Sequence, residues 1–305
     1  MFLPNWYYGG FVADVHAMAA APAAPGLAVT SVTAENFEAE LDAIAALLQR
    51  YPIVVIDTEY PGTVHRPTAG RRECDVTPGE RYALVKANVD ELPAVQLGIT
   101  LCDADGNVPV VAAGADGRAC QRAWEFTFSD FDPVRGRHAP ESVAFLTSQG
   151  VDFPAARLRG VSSSAFAARL AAVLAPARLR GGLTWAAFGG AYDFAYMIKM
   201  LSGGQPLPGT WQEFMARARD LLGGGMFDAK YMAEHSGRAD LIGGGLRRVA
   251  VRLGAPLLFP EPPCLAGPKS HTACHVYTAM RRHFRDLYRG HDYGAVFDGL
   301  IDGFN

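Results

Sequence analysis

The sequence predicts one α/β domain, a mixed sheet flanked by helices. Three observations predict it. Ile53–Ile56 is an apolar run with no polar face, which suits a strand covered on both sides. Strand-like segments come first and then alternate with helical ones. No linker or internal repeat divides the 305 residues, a length that one large domain can fill.

Taken in order, residues 1–30 read as a disordered or loosely packed leader, because Met18 opens an Ala- and Pro-rich stretch. Residues 31–305 then form the folded domain. Thr33 to Arg50 reads as a helix capped by Thr33, with Phe37, Leu41, Ile44, Leu47 and Leu48 in one stripe. The first strand follows at 53–59, and 61–80 is a long polar loop. Val95–Cys102 is a second strand, Asp105-Gly106 a turn, and Trp124–Phe128 a third strand. The segment 106–121 is long for a hairpin and is expected to bulge outward. Helical patterns cover Pro140–Gln149, Ser163–Leu174, Ala191–Leu201 and Thr210–Leu222, with a short strand at Leu183–Phe188. Met226–Tyr231 reads as a last strand turning into a helix. Gly245–Leu253 and Gly267–Leu287 close the chain as helices.

Composition narrows the function. The chain is 50% hydrophobic and 19% charged, ordinary for a globular protein. A net charge of −3 and a pI near 6.2 remove any argument from bulk basicity for nucleic-acid binding. They leave room for a local basic groove or a metal-mediated phosphate site. Cys74, Cys102, Cys120, Cys264 and Cys274 are dispersed with no CxxC pair, which points to a reducing compartment. No apolar run approaches the roughly 18 residues that span a bilayer.

The chemistry-bearing feature is the end of the first strand. Asp57 and Glu59 are spaced i, i+2 and so share a face. Two acids in such a dry place call for a cation, and a hard divalent ion wants carboxylate oxygen and phosphate. The alternative is a strand end that emerges into water.

The surrounding motifs decide between these. Asp57-Thr-Glu-Tyr-Pro-Gly62, Arg66-Pro67, Tyr82, Asn88-Val-Asp90, Gln96-Leu-Gly98, Trp124-x-Phe-x-Phe128, Trp185-x-x-Phe188, Tyr192-Asp-Phe194, Phe227-Asp-x-Lys-Tyr231 and Gly244-Gly-Leu246 occur in order. Together they resemble the Caf/Pop2-type poly(A) deadenylases over roughly residues 29–300. The resemblance implies a ribonuclease-H-like fold of the DEDD exonuclease group. It implies a poly(A)-specific 3′–5′ exoribonuclease that uses two divalent ions, Mg²⁺ or Mn²⁺, about 3.5–4 Å apart. It also implies the 3′ end of poly(A) RNA as substrate, and a Not-type scaffold and a second deadenylase subunit as partners. The expected location is nucleus and cytoplasm. Asp57, Glu59 and Asp193 take the positions of three of the family's four metal-binding acids.

The fourth position departs. The family's His and last Asp fall on Cys264 and Lys269, and a His of the third-acid segment falls on Gly189. In the family, the last Asp helps hold the ion that presents the attacking water, and the His aligned with Cys264 would act on that water as a general base. Three acids and one lysine carry about −2, enough for one ion where four acids would balance two. A lysine ammonium is itself drawn to such a place. Cys264 is a poor base, and its plain reading is a small buried apolar residue. His271 and His275 share a face of the last helix and could bind a metal, although packing explains such a pair as well. Asp228 is not expected in the site, and Cys74 and Cys102 read as structural. Phe188, Tyr192 and Trp124 are candidates to stack bases, with core packing as the alternative for each. Arg66, Arg71 and Arg72 are candidates to meet phosphate, against a solvated loop. Two functions follow: a weakened poly(A) exoribonuclease, or a catalytically inert deadenylase-like scaffold or competitor subunit.

Overall fold

The structure is a computed structural model that describes residues 26–68, 75–113, 118–179, 182–258, 265–288 and 293–305. Its centre is a seven-stranded mixed sheet, β1(Gly26–Val32), β2(Ile53–Glu59), β3(Gln96–Cys102), β4(Val110–Ala113), β5(Arg118–Thr127), β6(Thr184–Ala187) and β7(Gly225–Asp228). The strand order is β1-β5-β3-β2-β6-β7, with β4 on β5. The β2, β3 and β5 strands run antiparallel to their neighbours in turn, while β6 and β7 continue from β2 in parallel.

Strand β2 lies near the middle and is buried on both faces, as its unbroken Ile53–Ile56 run requires. Val54 and Ile56 enter the larger core, under α1(Phe37–Leu47), α2(Pro78–Glu91), α5(Ser163–Leu179), α6(Ala191–Leu201) and α7(Trp211–Leu222). Ile53 and Val55 enter the core on the opposite face, under α8(Ala229–Glu234), α9(Leu246–Arg252) and α10(Ala266–Leu287). The alternation continues past the apolar run and carries Asp57 and Glu59 to the α10 face. A third, smaller cluster joins α3(Pro140–Ser148) to α4(Phe153–Arg159) through Leu146, Phe131 and Phe153.

Several expectations are corrected here. Strand β1 begins at Gly26, inside the segment assigned to a loose leader, because it pairs in parallel with β5 from Gly26↔Cys120 to Val32↔Phe126. Residues 1–25 of that leader lie outside the described residues. The first helix starts at Phe37, and Asn36, not Thr33, is its N-cap residue. The end of the predicted 61–80 loop is already helical. Thr77 and Glu80 form a reciprocal capping box, with Pro78 in the first turn of α2. The 106–121 segment holds β4, which pairs with β5 from Val110↔Gln121 to Ala113↔Arg118. Helix α4, absent from the expected order, starts on an Asp152 side chain that accepts from Ala155 N. No helix among the described residues is long and apolar enough to cross a membrane.

Candidate active site

Two helices deliver charge to the end of β2. Helix α6 follows β6, which stops pairing with β2 at Val55↔Ala186. Beyond that point the Thr58 N–H has no strand partner on that side, and it donates to Asp193 Oδ1 at 2.6 Å. Asp193 stands in the first turn of α6 and is buried.

Helix α10 crosses the other face of the sheet above β3, and Gly98 permits the crossing. A Cβ at residue 98 would lie 1.9 Å from Ala266 O. The helix is fastened by Thr100 Oγ1 to Ser270 Oγ at 2.9 Å and by Gly267 N, which donates to Glu125 Oε2 at 3.0 Å. Leu265 supplies no side-chain cap, and Pro268 in the first turn has no N–H to satisfy. The Glu125 carboxylate of β5 therefore caps α10 from across the sheet, and its negative charge suits a helix N-terminus.

This seating places Lys269 over the acids. Its ammonium stands 2.6 Å from Glu59 Oε1 and 3.4 Å from Asp57 Oδ2. Apart from that ammonium, those two buried oxygens have no partner. Asp57, Glu59, Asp193 and Lys269 line one cleft of about 470 Å³, together with Tyr60, Gly189 and Tyr192.

The electrostatics follow from burial. Burial pushes the Asp57 and Glu59 carboxyls up, Glu59 to about 7, and the pull of Lys269 offsets only part of this. Asp193 is raised well above the usual carboxylate range by burial and then by the Asp57 charge. Burial works against the charged form of Lys269, but Asp57 and Glu59 outweigh it, so its ammonium is held above the ordinary lysine range. Glu125 is also raised, by burial first and with a smaller contribution from Asp57.

Carboxylate oxygens are the right donors for Mg²⁺ or Mn²⁺. The ammonium, however, occupies the space between Asp57 and Glu59 where a shared cation would sit. Among the described residues, no three His, Cys, Asp or Glu side chains form a group able to hold an ion. The residues as placed do not fit a pair of divalent ions.

The remaining candidates separate cleanly. Cys264, Cys74, Arg71 and Arg72 lie outside the described residues. His271 faces away from the cleft and meets Gln121 Oε1 at 2.6 Å, as His275 does at 3.0 Å. A carbonyl oxygen only accepts, so both rings donate from Nε2. Burial holds His271 near 3 and His275 near 4, hence neutral. Asp228 is fully buried and accepts from Gly189 N, Gly190 N, Lys230 N and Asp302 N, a structural arrangement. Cys102 is a buried core residue. Trp124 is also fully buried, its indole N–H given to Glu40, and Phe188 packs against the α10-side core. Tyr192 alone of the three aromatics lines the cleft, stacked on Tyr60 with ring centroids 4.7 Å apart. Arg66 is exposed and pairs with Glu141.

Two residues position the site in ways the sequence does not disclose, although Asn88 stands in one of the family motifs. Glu125 alternates with Trp124 and Phe126, which put it on the face opposite the larger core, but its contact with Gly267 is not a local signal. Asn88 is buried and accepts from Val64 N and His65 N, so it clamps the loop after β2.

A family model described as "CAF1 family ribonuclease" matches residues 32–165. Poly(A) ribonuclease pop2 of Schizosaccharomyces pombe is 36% identical over 186 residues, covering 61% of this chain and 51% of the relative. The chain thus spans about half the length of that relative. The putative CCR4-associated factor 1 homolog 8 of Arabidopsis thaliana is 32% identical, covering 61% of this chain and 69% of the relative. Among solved structures, S. pombe Pop2p in its Mg²⁺- and Mn²⁺-bound form aligns with a TM-score of 0.72 at 27% identity, over 90% of this chain and 99% of that one. Yeast CAF1, co-crystallized with the NOT1 MIF4G domain, aligns with a TM-score of 0.64 at 22% identity, over 90% of this chain and 96% of that one. The second likeness speaks for the fold alone.

Proposed function

Because the chain belongs to the CAF1 ribonuclease family and has its ribonuclease-H-like fold, we propose that it is a poly(A)-directed 3′–5′ exoribonuclease of weakened activity. The observation that carries the weakening is Lys269, whose ammonium stands 2.6 Å from Glu59 Oε1. Asp57, Glu59 and Asp193 remain as the catalytic acids of this reading, and they would serve as ligands of Mg²⁺ or Mn²⁺, one ion at most, only once the Lys269 ammonium is displaced. That ion must displace a cation already attached to the chain, which competes at a high effective concentration. Poly(A) specificity is supported by the description of the pop2 relative, and divalent-ion use by the ions in the Pop2p structure. A Not-type scaffold and a second deadenylase subunit are the proposed partners, carried over from the resemblance to the family. The proposed location is nucleus and cytoplasm.

A second reading is favoured by the same ammonium: an inert deadenylase-like subunit that docks or competes without cutting. Labelled oligo(A) RNA incubated with the protein, in Mn²⁺ and in chelator, separates the two. Slow, Mn²⁺-dependent shortening that accelerates in the Lys269→Asp, Cys264→His variant supports the first. No shortening by the unaltered protein at any Mn²⁺ concentration supports the second. Rapid shortening by the unaltered protein defeats both.

A further inference from the structure

We propose that a second chamber beside the acid cleft is a subsite for the nucleotide preceding the 3′ end of a single-stranded RNA, with Arg66 as its phosphate contact. The proposal rests on the poly(A) reading above and names how the strand continues beyond the acids. The chamber has a volume of about 430 Å³, within the range of ligand-sized cavities. It adjoins the acid cleft, because Thr63, Gly189 and Tyr192 line both. Two ligand-sized chambers in series suit consecutive residues of a strand rather than a single compact molecule.

The shared wall is prepared for a base. Tyr192 is held by Asn88 Nδ2, which donates to its hydroxyl at 3.3 Å, and by the stacked Tyr60 ring behind it. A ring fixed in this way offers a stacking surface at little cost in entropy. At the junction, a Cβ on Gly189 would meet only Lys230 Cδ, at 3.6 Å. The missing side chain leaves the passage open, and the positive φ of 66° keeps the backbone in a form that favours glycine.

The charges of the second chamber differ from those of the first. His65, Arg66 and Arg81 line it, whereas the first is lined by four acids, Asp57, Glu59, Glu141 and Asp193, and one lysine. Asp302 also lines it but is engaged by Lys230 at 2.6 Å, and His65 is paired with Glu91 at 2.6 Å. Arg66 pairs with Glu141, which lines the acid cleft, and both side chains are exposed, 59% and 62%. An exposed pair of this kind is weak, so a phosphate can take the guanidinium from Glu141. The loop that carries Arg66 is clamped through its backbone by Asn88, which keeps the guanidinium near the chamber whichever anion it holds.

The test is calorimetric binding of adenosine 5′-monophosphate and of the 5′-phosphorylated adenylate dinucleotide to the whole protein, in chelator and again in Ca²⁺. Stacking and phosphate contact predict that the dinucleotide binds at least about fivefold tighter than the mononucleotide. Arg66→Glu erases that gain and leaves mononucleotide binding as it was. Glu141→Gln, which frees Arg66, increases the gain. Dinucleotide binding that keeps its advantage in Arg66→Glu overturns the subsite while leaving the poly(A) reading intact. Failure of both nucleotides to bind in either condition overturns the two together. Arg66 is exposed, so loss through unfolding is checked by an unchanged melting temperature.

Discussion

Asp228 at the end of β7 and the Asp57–Glu59–Asp193 cluster at the end of β2, two strands away in the sheet, are both buried acid, and they are finished differently. Asp228 closes on the backbone: its two oxygens accept from Gly189 N, Gly190 N, Lys230 N and Asp302 N at 2.8–3.0 Å. The cluster closes on a side chain, the Lys269 ammonium, and on one backbone donor, Thr58 N. Backbone donors cannot leave, whereas a lysine can be substituted, moved or outcompeted. A carboxylate satisfied by the fold holds structure together. A carboxylate satisfied by one movable cation retains the capacity to bind something else.

The largest expected effect breaks the closed acid. Asp228→Ala strands several backbone donors away from water and costs about 3–5 kcal/mol in denaturant unfolding. A loss below about 1 kcal/mol would show that water replaces the carboxylate and that the contrast is false. Next is the cluster's cation. Lys269→Met removes one partner of a buried set and costs about 2–3 kcal/mol at pH 8. Glu59 already titrates near 7 in the folded protein. A carboxyl raised above its unfolded value favours the folded state less as pH rises through that folded value. The Lys269→Met loss therefore shrinks on going from pH 8 to pH 6, measured as the difference from the unaltered protein at each pH.

Gly98→Ala is expected to cost about 1–3 kcal/mol, because its Cβ would meet Ala266 O and push the start of α10 outward. Moving α10 also moves Lys269, so this variant raises Mn²⁺ affinity together with the instability. A destabilised variant with unchanged Mn²⁺ affinity would separate the seating of the helix from the charge of the cleft. The smallest effect concerns His271 and His275, a second closed polar group on the same helix. Their folded values, near 3 and 4, lie below the ordinary 6.5, so their contribution is complete above pH 6.5 and is lost as pH falls through that interval. A His271→Phe, His275→Leu variant should lose about 1–2 kcal/mol less than the unaltered protein between pH 6.5 and 4. Parallel stability curves would show that the pair is solvated.

Much of this arrangement was legible in the chain and some was not, for identifiable reasons. Strand β2 is legible to its ends because a buried strand has no competing period. Helix α6 is legible at Ala191–Leu201 because its apolar stripe is strong. Helix α2 is hidden in the sequence although Thr77-Pro-Gly-Glu80 carries a capping box, because Asn88 interrupts the apolar stripe of Tyr82, Val85 and Val89. Asn88 is buried there to clamp a loop, a tertiary reason that no local pattern contains. Strand β1 is an edge strand beside an Ala- and Pro-rich stretch, and its partner lies about ninety residues on, at β5. In the site, i, i+2 spacing brought Asp57 and Glu59 together, but Lys269 entered only through the register of the family motifs. The contact of Glu125 with Gly267 joins residues 142 positions apart and had no signal in sequence.

The central claim is that Lys269 stands where a metal ion would. Calorimetric titration of Mn²⁺ into the unaltered protein and into Lys269→Asp, at the same pH, tests it most directly. With the ammonium in the ion's place, the unaltered protein gives no saturable heat beyond a single weak site, and the variant binds at least about tenfold tighter, equivalent to about 1.4 kcal/mol. Two tight sites in the unaltered protein, unchanged in the variant, would contradict it.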